Sequence, residues 1–443
     1  YGFDETVLPD IERAILSRHN ILLLGLRGQA KTRIARLLTT LLDEYMPIVA
    51  GSEINDDPLQ PLSNFAVTTI SDLGDKTPID WVHRDTRYVE KLATPDVSIA
   101  DLIGDIDPIK AATLKLAYSD ERVLHFGLIP RAHRSIFVIN ELPDLQARIQ
   151  VALFNILEEG DIQIRGFKLR LPLDLQFIFT ANPEDYTNRG SIVTPLKDRI
   201  GSQILTHYAA DVKTAKQITA QEAQKLENRI CEVHVPELAK DILEQIAFEA
   251  RSSEYVDAKS GVSARMSITA YENLISTAER RALLNNEHST TVRFADLMGM
   301  IPSITGKVEL VYEGEQEGSS FVANQLISEA TKTLFLTYFP KIEKLKKADQ
   351  VTPYDGVVEW FTQNNALEIA DETDEQTYLR TLHAIEPLKA LIERYQPRVA
   401  SEDLPFLMEF VLWALVEFKR LSKQKTAGGM SINDLYDSLL KGI

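Results

Sequence analysis

Eight consecutive residues, Gly25-Leu26-Arg27-Gly28-Gln29-Ala30-Lys31-Thr32, have the types and spacing that hold a polyphosphate. Small residues let successive backbone N–H groups turn toward phosphate oxygens, and a following helix adds its positive N-terminal end. In such a loop Lys31 reaches the terminal phosphates and the Thr32 hydroxyl faces a Mg²⁺ ion, and Arg33, which continues into the helix, is counted with the loop as nucleotide-binding. One position departs from the pattern. The glycine that usually precedes the lysine is Ala30, and Gly28 stands two residues earlier. Alanine is tolerable there if its backbone is already helical, which is the expectation.

A second group lies about one hundred residues on, where Ile136-Phe137-Val138-Ile139 runs into Asn140-Glu141. Cleaving a terminal phosphate requires an acid that orients and activates water, and a neighbouring strand end can supply it. Glu141 is the candidate for that role. Thr32 is the candidate on the metal side.

The elements that must carry these residues are legible. Ile21-Leu22-Leu23-Leu24 is a short continuous apolar run and reads as a buried parallel strand. Helical spacing of apolar residues precedes it from Val7 to Ser17 and follows the loop from Arg33 to Tyr45. Residues 50–95, rich in Asp, Pro, Asn and Gly, read as a long excursion from the core. Further buried strands are expected at Ser135–Ile139 and Leu175–Thr180, with a helix from about Leu145 to Leu157. A hairpin is expected over 162–171, turning at Gly166-Phe167. Parallel strands separated by helices imply an α/β sheet covered on both faces.

After Tyr208 the pattern turns helical, with segments near 212–231, 236–256, 265–285 and 293–305. Glu313 to Ser320 reads as a linker, and amphipathic helices follow to the end, including Ser401 to Leu421. The expected organisation is an α/β core over 1–208, a helical domain over 209–310 and a helical region over 321–443.

Bulk properties narrow the function. Lys and Arg total 48 and Asp and Glu 65 over 443 residues, so the formal net charge is −17 and nucleic acid is a poor default partner. Cys231 is the single cysteine, which removes a disulfide framework or cysteine metal site and fits a cytoplasmic setting. No apolar run has membrane-spanning length, since Phe406–Phe418 is short and carries Glu409 and Glu417. The chain opens at Tyr1 without a methionine, and preceding residues are expected. The eight histidines form no His-Glu-x-x-His pattern, and there is no nucleophile elbow.

Over roughly residues 1–310 the chain resembles the AAA+ ATPases of the magnesium-chelatase and MoxR group. The resemblance rests on the loop Gly25–Thr32, on Asp101-Leu102-Ile103-Gly104-Asp105 with Asp107-Pro108, and on His125-Phe126-Gly127-Leu128-Ile129-Pro130-Arg131-Ala132-His133. Ile139-Asn140-Glu141-Leu142 and Phe179-Thr180-Ala181-Asn182-Pro183 complete it, in the family's order. It implies an AAA+ parallel-sheet P-loop core with a helical lid, ATP/ADP and Mg²⁺ as cofactors, and a homo-oligomeric ring, commonly hexameric. It implies that Asn182 senses the terminal phosphate, that Arg199 is offered to the adjacent subunit and that Arg265 is a second sensor on the lid. It further implies that 101–135 and 162–171 are insertions facing the ring pore or a partner. The implied activity is ATP-driven remodelling of a protein client, a MoxR-like chaperone role with a von Willebrand A-domain protein as a possible partner. The alternatives are the motor subunit of a metal chelatase, or a nucleotide-gated scaffold of weak turnover. The resemblance also places Asn140 and Glu141 beside Thr32 on the metal side, and Asn140, which stands where the family usually has an aspartate, suggests the last alternative.

Overall fold

Ile21–Leu24 forms strand β1 of a five-stranded parallel sheet, and its apolar run is explained by burial on both faces. In the computed structural model the described residues are 1–116, 121–163, 170–183, 190–224, 229–342, 352–364, 366–426 and 429–435. They divide into two units, Gly2–Tyr208 and Ala209–Ile443 with Tyr1.

In the first unit helix α1 (Val7–Leu16) precedes β1, and α2 (Lys31–Leu37) follows the loop. Strands β2 (Tyr45–Val49) and β3 (Ile79–His83) make a separate antiparallel pair. β4 (Tyr88–Leu92) then enters the main sheet at its edge. β5 (Gly104–Ile106) and β6 (Leu124–Phe126) form a small antiparallel pair before β7 (Ser135–Asn140). Helix α3 (Ala147–Glu159), β8 (Asp161–Gln163), β9 (Arg170–Pro172), β10 (Leu175–Ala181), α4 (Thr194–Arg199) and β11 (Ser202–Leu205) complete the unit.

The sheet order is β11-β1-β10-β7-β4, so β10 lies between the loop strand and the strand ending at Asn140. Successive side chains point to opposite faces. Ile21, Leu23, Ile136, Val138 and Ile178 pack with Val7, Ile11 and Ala14 of α1. Leu22, Phe137, Ile139, Phe177 and Phe179 pack with Ile149, Leu153 and Ile156 of α3 on the other side. Phe177 stacks on Phe179 at 5.8 Å between ring centroids and meets Phe137 edge-on at 5.6 Å. Burying each such ring contributes roughly 1.5–3 kcal/mol. These rings fix the sheet that aligns both strand ends.

Three expectations need correcting. The 50–95 excursion is only partial, because Tyr88–Leu92 is a sheet strand pairing with Ile136–Asn140. Its Glu90 and Lys91 disguise it, as edge strands are half-solvated. The helix after the loop ends at Leu37 and continues as a 3₁₀ turn to Leu41. The run read as a linker is helical over Tyr312–Glu317, with Gly318 at φ 91° joining it to the next helix. For the 162–171 hairpin, Ile162 pairs with Leu171, and its Gly166-Phe167 turn lies outside the described residues.

The second unit is built on helices α5 (Val212–Glu222), α6 (Glu237–Ser252), α7 (Ala264–Leu284), α8 (Ser319–Tyr338) and α9 (Leu404–Glu417). One continuous apolar core joins Ile242, Ala270, Phe294, Phe335 and Phe410. The unit also holds a parallel pair, β12 (Glu232–His234) with β13 (Ser289–Thr291). A three-stranded antiparallel sheet of β14 (Ala366–Ala370), β15 (Leu421–Thr426) and β16 (Gly429–Asp434) was not anticipated by the helical reading. Among the described residues no helix is long and apolar enough to cross a membrane.

Candidate functional site

The loop leaves β1 at Gly25, whose N–H donates to the Ala181 carbonyl at 3.2 Å. A Cβ at Gly25 would overlap Thr206 Oγ1 and Gln29 Oε1, so only glycine fits. Thr206 donates its hydroxyl to the buried Gln29 Oε1 at 2.8 Å, and Tyr208 donates to the Arg27 carbonyl at 2.8 Å. The chain beyond β11 thus pins the loop from below. Leu26 and Arg27 are half-buried, and Arg33 is exposed on α2.

Gly28 has φ 73° and Ala30 φ 57°. Ala30 is therefore left-handed, contrary to the helical backbone expected for it, and α2 begins one residue later at Lys31. Left-handed residues alternating with right-handed ones turn their N–H groups to one side, the geometry of an anion nest. The missing glycine is replaced by an alanine that takes a glycine conformation.

Lys31 Nζ donates to the Gly25 carbonyl, to the Leu26 carbonyl at 2.8 Å and to Asn182 Oδ1 at 2.7 Å. These three partners are neutral oxygens, and an incoming phosphate would offer the ammonium charge-assisted bonds, which are stronger.

Thr32 Oγ1 donates to Asn140 Oδ1 at 3.2 Å, joining the loop to the end of β7. Thr180 Oγ1 also donates to Asn140 Oδ1, at 3.1 Å, and accepts from the Glu141 N–H at 3.1 Å. The Asn140 Nδ2 donates to Glu90 Oε1. Glu141 follows at φ 56°, a left-handed turn that leads into Leu142–Asp144. A non-glycine residue held there costs of order 1–3 kcal/mol, which the buried Leu142 and Pro143 help to offset.

Among the described residues no three His, Cys, Asp or Glu side chains cluster as metal ligands. Thr32, Asn140 and Glu141 offer hard oxygens of the kind Mg²⁺ prefers when phosphates and water complete its shell. The residues therefore fit a metal that arrives with a nucleotide.

Of the sequence-predicted residues, Lys31, Thr32, Asn140 and Asn182 are linked directly by hydrogen bonds, and Glu141 through Thr180. Arg199 is engaged elsewhere in the unit. It pairs with Glu158 at 2.6 Å, donates to the Pro195 carbonyl at 2.9 Å and lies over the Phe154 ring at 5.1 Å. Arg265 belongs to the second unit, exposed in the first turn of α7, where its N–H donates to Ser263 Oγ at 3.1 Å. Glu90, Thr180, Thr206 and Tyr208 are site residues that sequence reasoning missed. Only Thr180, within the quoted Phe179–Pro183 motif, carried any signal.

A cavity of about 570 Å³ opens beside the 101–135 segment, lined by Lys91, Asp101, Asp105, Asp107, His125 and Arg131. Its lining mixes acidic and basic side chains.

Strand, loop, helix and sheet order together define a parallel-sheet P-loop α/β core. No family model matches the chain. Among solved structures, NtrX from Brucella abortus in complex with ATP is 16% identical, with 61% of this chain and 48% of that chain covered, at a TM-score of 0.37. A chain from the complex of subunits BchI and BchD of magnesium chelatase is 18% identical, with 70% and 93% covered, at a TM-score of 0.35. The S. cerevisiae Hsp104-ADP complex is 12% identical, with 64% and 47% covered, at a TM-score of 0.36. The chain spans about half the length of the NtrX and Hsp104 chains.

Proposed function

We propose that this chain is a nucleotide-driven AAA+ protein that binds ATP with Mg²⁺ on the loop Gly25–Thr32 and hydrolyses it to remodel a partner protein. The observation that carries it is the two hydrogen bonds, Lys31 to Asn182 and Thr32 to Asn140, that join the start of α2 to the ends of β10 and β7. Lys31 turns from the loop carbonyls to the terminal phosphates, and Thr32 and Asn140 face the metal side. Thr32 and Asn140 would hold Mg²⁺ that arrives with the nucleotide, and a metal there would supply charge neutralisation to the phosphates. Glu141 orients and deprotonates water, and Asn182 holds that water or the phosphate it attacks. Arg199 is read as a cation offered to a neighbouring subunit, and Arg265 as a second sensor. The Arg199 role requires a homo-oligomeric ring, for which six subunits is the expected number. A MoxR-like chaperone role with a von Willebrand A-domain client is the preferred biological setting, and a chelatase motor subunit is the alternative.

The decisive test is calorimetry with a non-hydrolysable ATP analogue. Lys31→Ala should abolish binding with the circular dichroism spectrum unchanged, and an unchanged affinity would remove the loop from the site.

A nucleotide-gated scaffold of low turnover is the second reading, and Asn140 is the observation that favours it. Steady-state phosphate release from the assembled protein separates the two.

A further inference from the structure

The amide at position 140 has a partner that fixes which way it faces. Asn140 is buried, its Oδ1 accepts from Thr32 and Thr180, and its Nδ2 donates to Glu90. Glu90 stands on β4, directly beside β7, where Leu92 pairs with Asn140 and Glu90 with Val138. The other Glu90 oxygen accepts from Tyr88 Oη at 2.9 Å and from the Arg36 guanidinium at 3.0 Å. Arg36 and Thr32 are four residues apart on α2 and so share one face of it. One helix therefore reaches both ends of the Glu90–Asn140 pair.

An asparagine amide can be turned by half a rotation, exchanging oxygen for NH₂. Turned that way, Asn140 would set its oxygen against the Glu90 carboxylate and present N–H donors to a cation. A carboxylate accepts only, so an ionised Glu90 selects the orientation that presents oxygen toward Thr32.

We propose that Glu90 supplies the negative charge that position 140 lacks, acting as a positioning residue. It orients the Asn140 oxygen toward the metal side and places its own charge one side chain behind. This rests on the nucleotide reading above. The pair Glu90–Asn140 then does from two strands what a single aspartate at position 140 would do from one.

The test is a charge exchange across the two strands, with three readouts. In metal-free thermal melting, Asn140→Asp should lower the midpoint by several degrees, because two carboxylates meet, and Asn140→Asp with Glu90→Gln should recover it. In Mn²⁺ titrations of the protein with a non-hydrolysable ATP analogue, followed by electron paramagnetic resonance, Glu90→Gln should raise the half-saturating Mn²⁺ concentration about tenfold or more, the lower end for one hydrogen bond to a charged group. The double variant should return it to near the wild-type value. Affinity for the analogue in EDTA should stay unchanged throughout. Glu90→Gln without effect on Mn²⁺, or a double variant as impaired as the single one, would reduce Glu90 to a partner of Arg36 and Tyr88 and overturn the inference. Absence of analogue binding by the wild-type protein in EDTA and with Mn²⁺ alike would overturn the nucleotide reading, and this inference with it.

Discussion

Asn182 Oδ1 sits 2.7 Å from Lys31 Nζ, so a hydrogen bond joins the end of β10 to the start of α2. Lys31 also keeps two loop carbonyls as partners, so losing Asn182 should leave the ammonium in place. Asn182→Ala is expected to keep nucleotide affinity within about threefold while cutting hydrolysis at least tenfold, the size of one lost transition-state hydrogen bond. Comparing calorimetry with phosphate release checks this. A joint loss of binding and turnover would make Asn182 a structural brace for Lys31.

Ala30 gives a stability prediction. Left-handed backbone costs a non-glycine residue roughly 1–2 kcal/mol, and glycine's greater freedom in the unfolded chain costs about 0.5–1 kcal/mol. The Ala30 side chain is exposed, so its methyl packs against little. Ala30→Gly should therefore stabilise the first unit by about 0.5–1 kcal/mol, read as a higher denaturant midpoint at constant slope. A lower midpoint would mean that the loop relaxes to another conformation.

Glu141 and Arg199 test whether the site is shared. Glu141→Gln should keep binding and lose hydrolysis by about 10²–10⁴, the usual contribution of a general base. Arg199 is held by Glu158 and Phe154, with no hydrogen bond to the loop among the described residues. Arg199→Ala should nevertheless abolish turnover if the arginine acts across a subunit boundary. Mixing the two inactive variants should then restore part of the activity. Mixtures that exchange subunits yet stay inactive would exclude a site completed in trans.

How far the sequence reached depends on burial. Ile21–Leu24, Ser135–Ile139 and Leu175–Thr180 were legible because both faces of the sheet are covered, which writes continuous apolar runs. The edge strand Tyr88–Leu92 has no such run, so Glu90 was invisible although it lies beside Asn140. Thr206 and Tyr208 reach the loop from about 180 residues away, a relation that no spacing encodes. Ala30 misled because alanine's propensity is helical while its position demanded a left-handed turn. Leu421–Thr426 escaped as a strand because Ser, Lys, Gln and Thr make it polar, and its pairing with Gly429–Asp434 is what holds it.

The last prediction concerns pH and the second unit. Glu409, already conspicuous within an apolar stretch, is fully buried in α9. One oxygen accepts from the Phe294 N–H at 2.8 Å and from Tyr378 Oη at 2.9 Å, while Oε1 has no partner among the described residues. Burial raises its pKa from an ordinary 4.5 to about 7, with Asp296 adding to the rise, against the hydrogen bonds from Tyr378 and Phe294 and the charge of Arg293. Below pH 4.5 the carboxyl is protonated in folded and unfolded chains alike, so its burial carries no ionic penalty. Between pH 4.5 and 7 the unfolded chain releases this proton while the folded chain retains it. Stability from this group therefore falls as pH rises through that window and levels off above 7. The linked loss is on the order of 3 kcal/mol. Glu409→Gln removes the titration but keeps an oxygen for Phe294 and Tyr378. The difference in unfolding free energy, variant minus wild type, should thus grow by about that amount from pH 5 to pH 8. Urea unfolding of both proteins, followed by near-ultraviolet circular dichroism across that range, measures it. A difference independent of pH would show that Glu409 ionises normally, through opening of the core around Phe294 and Phe410.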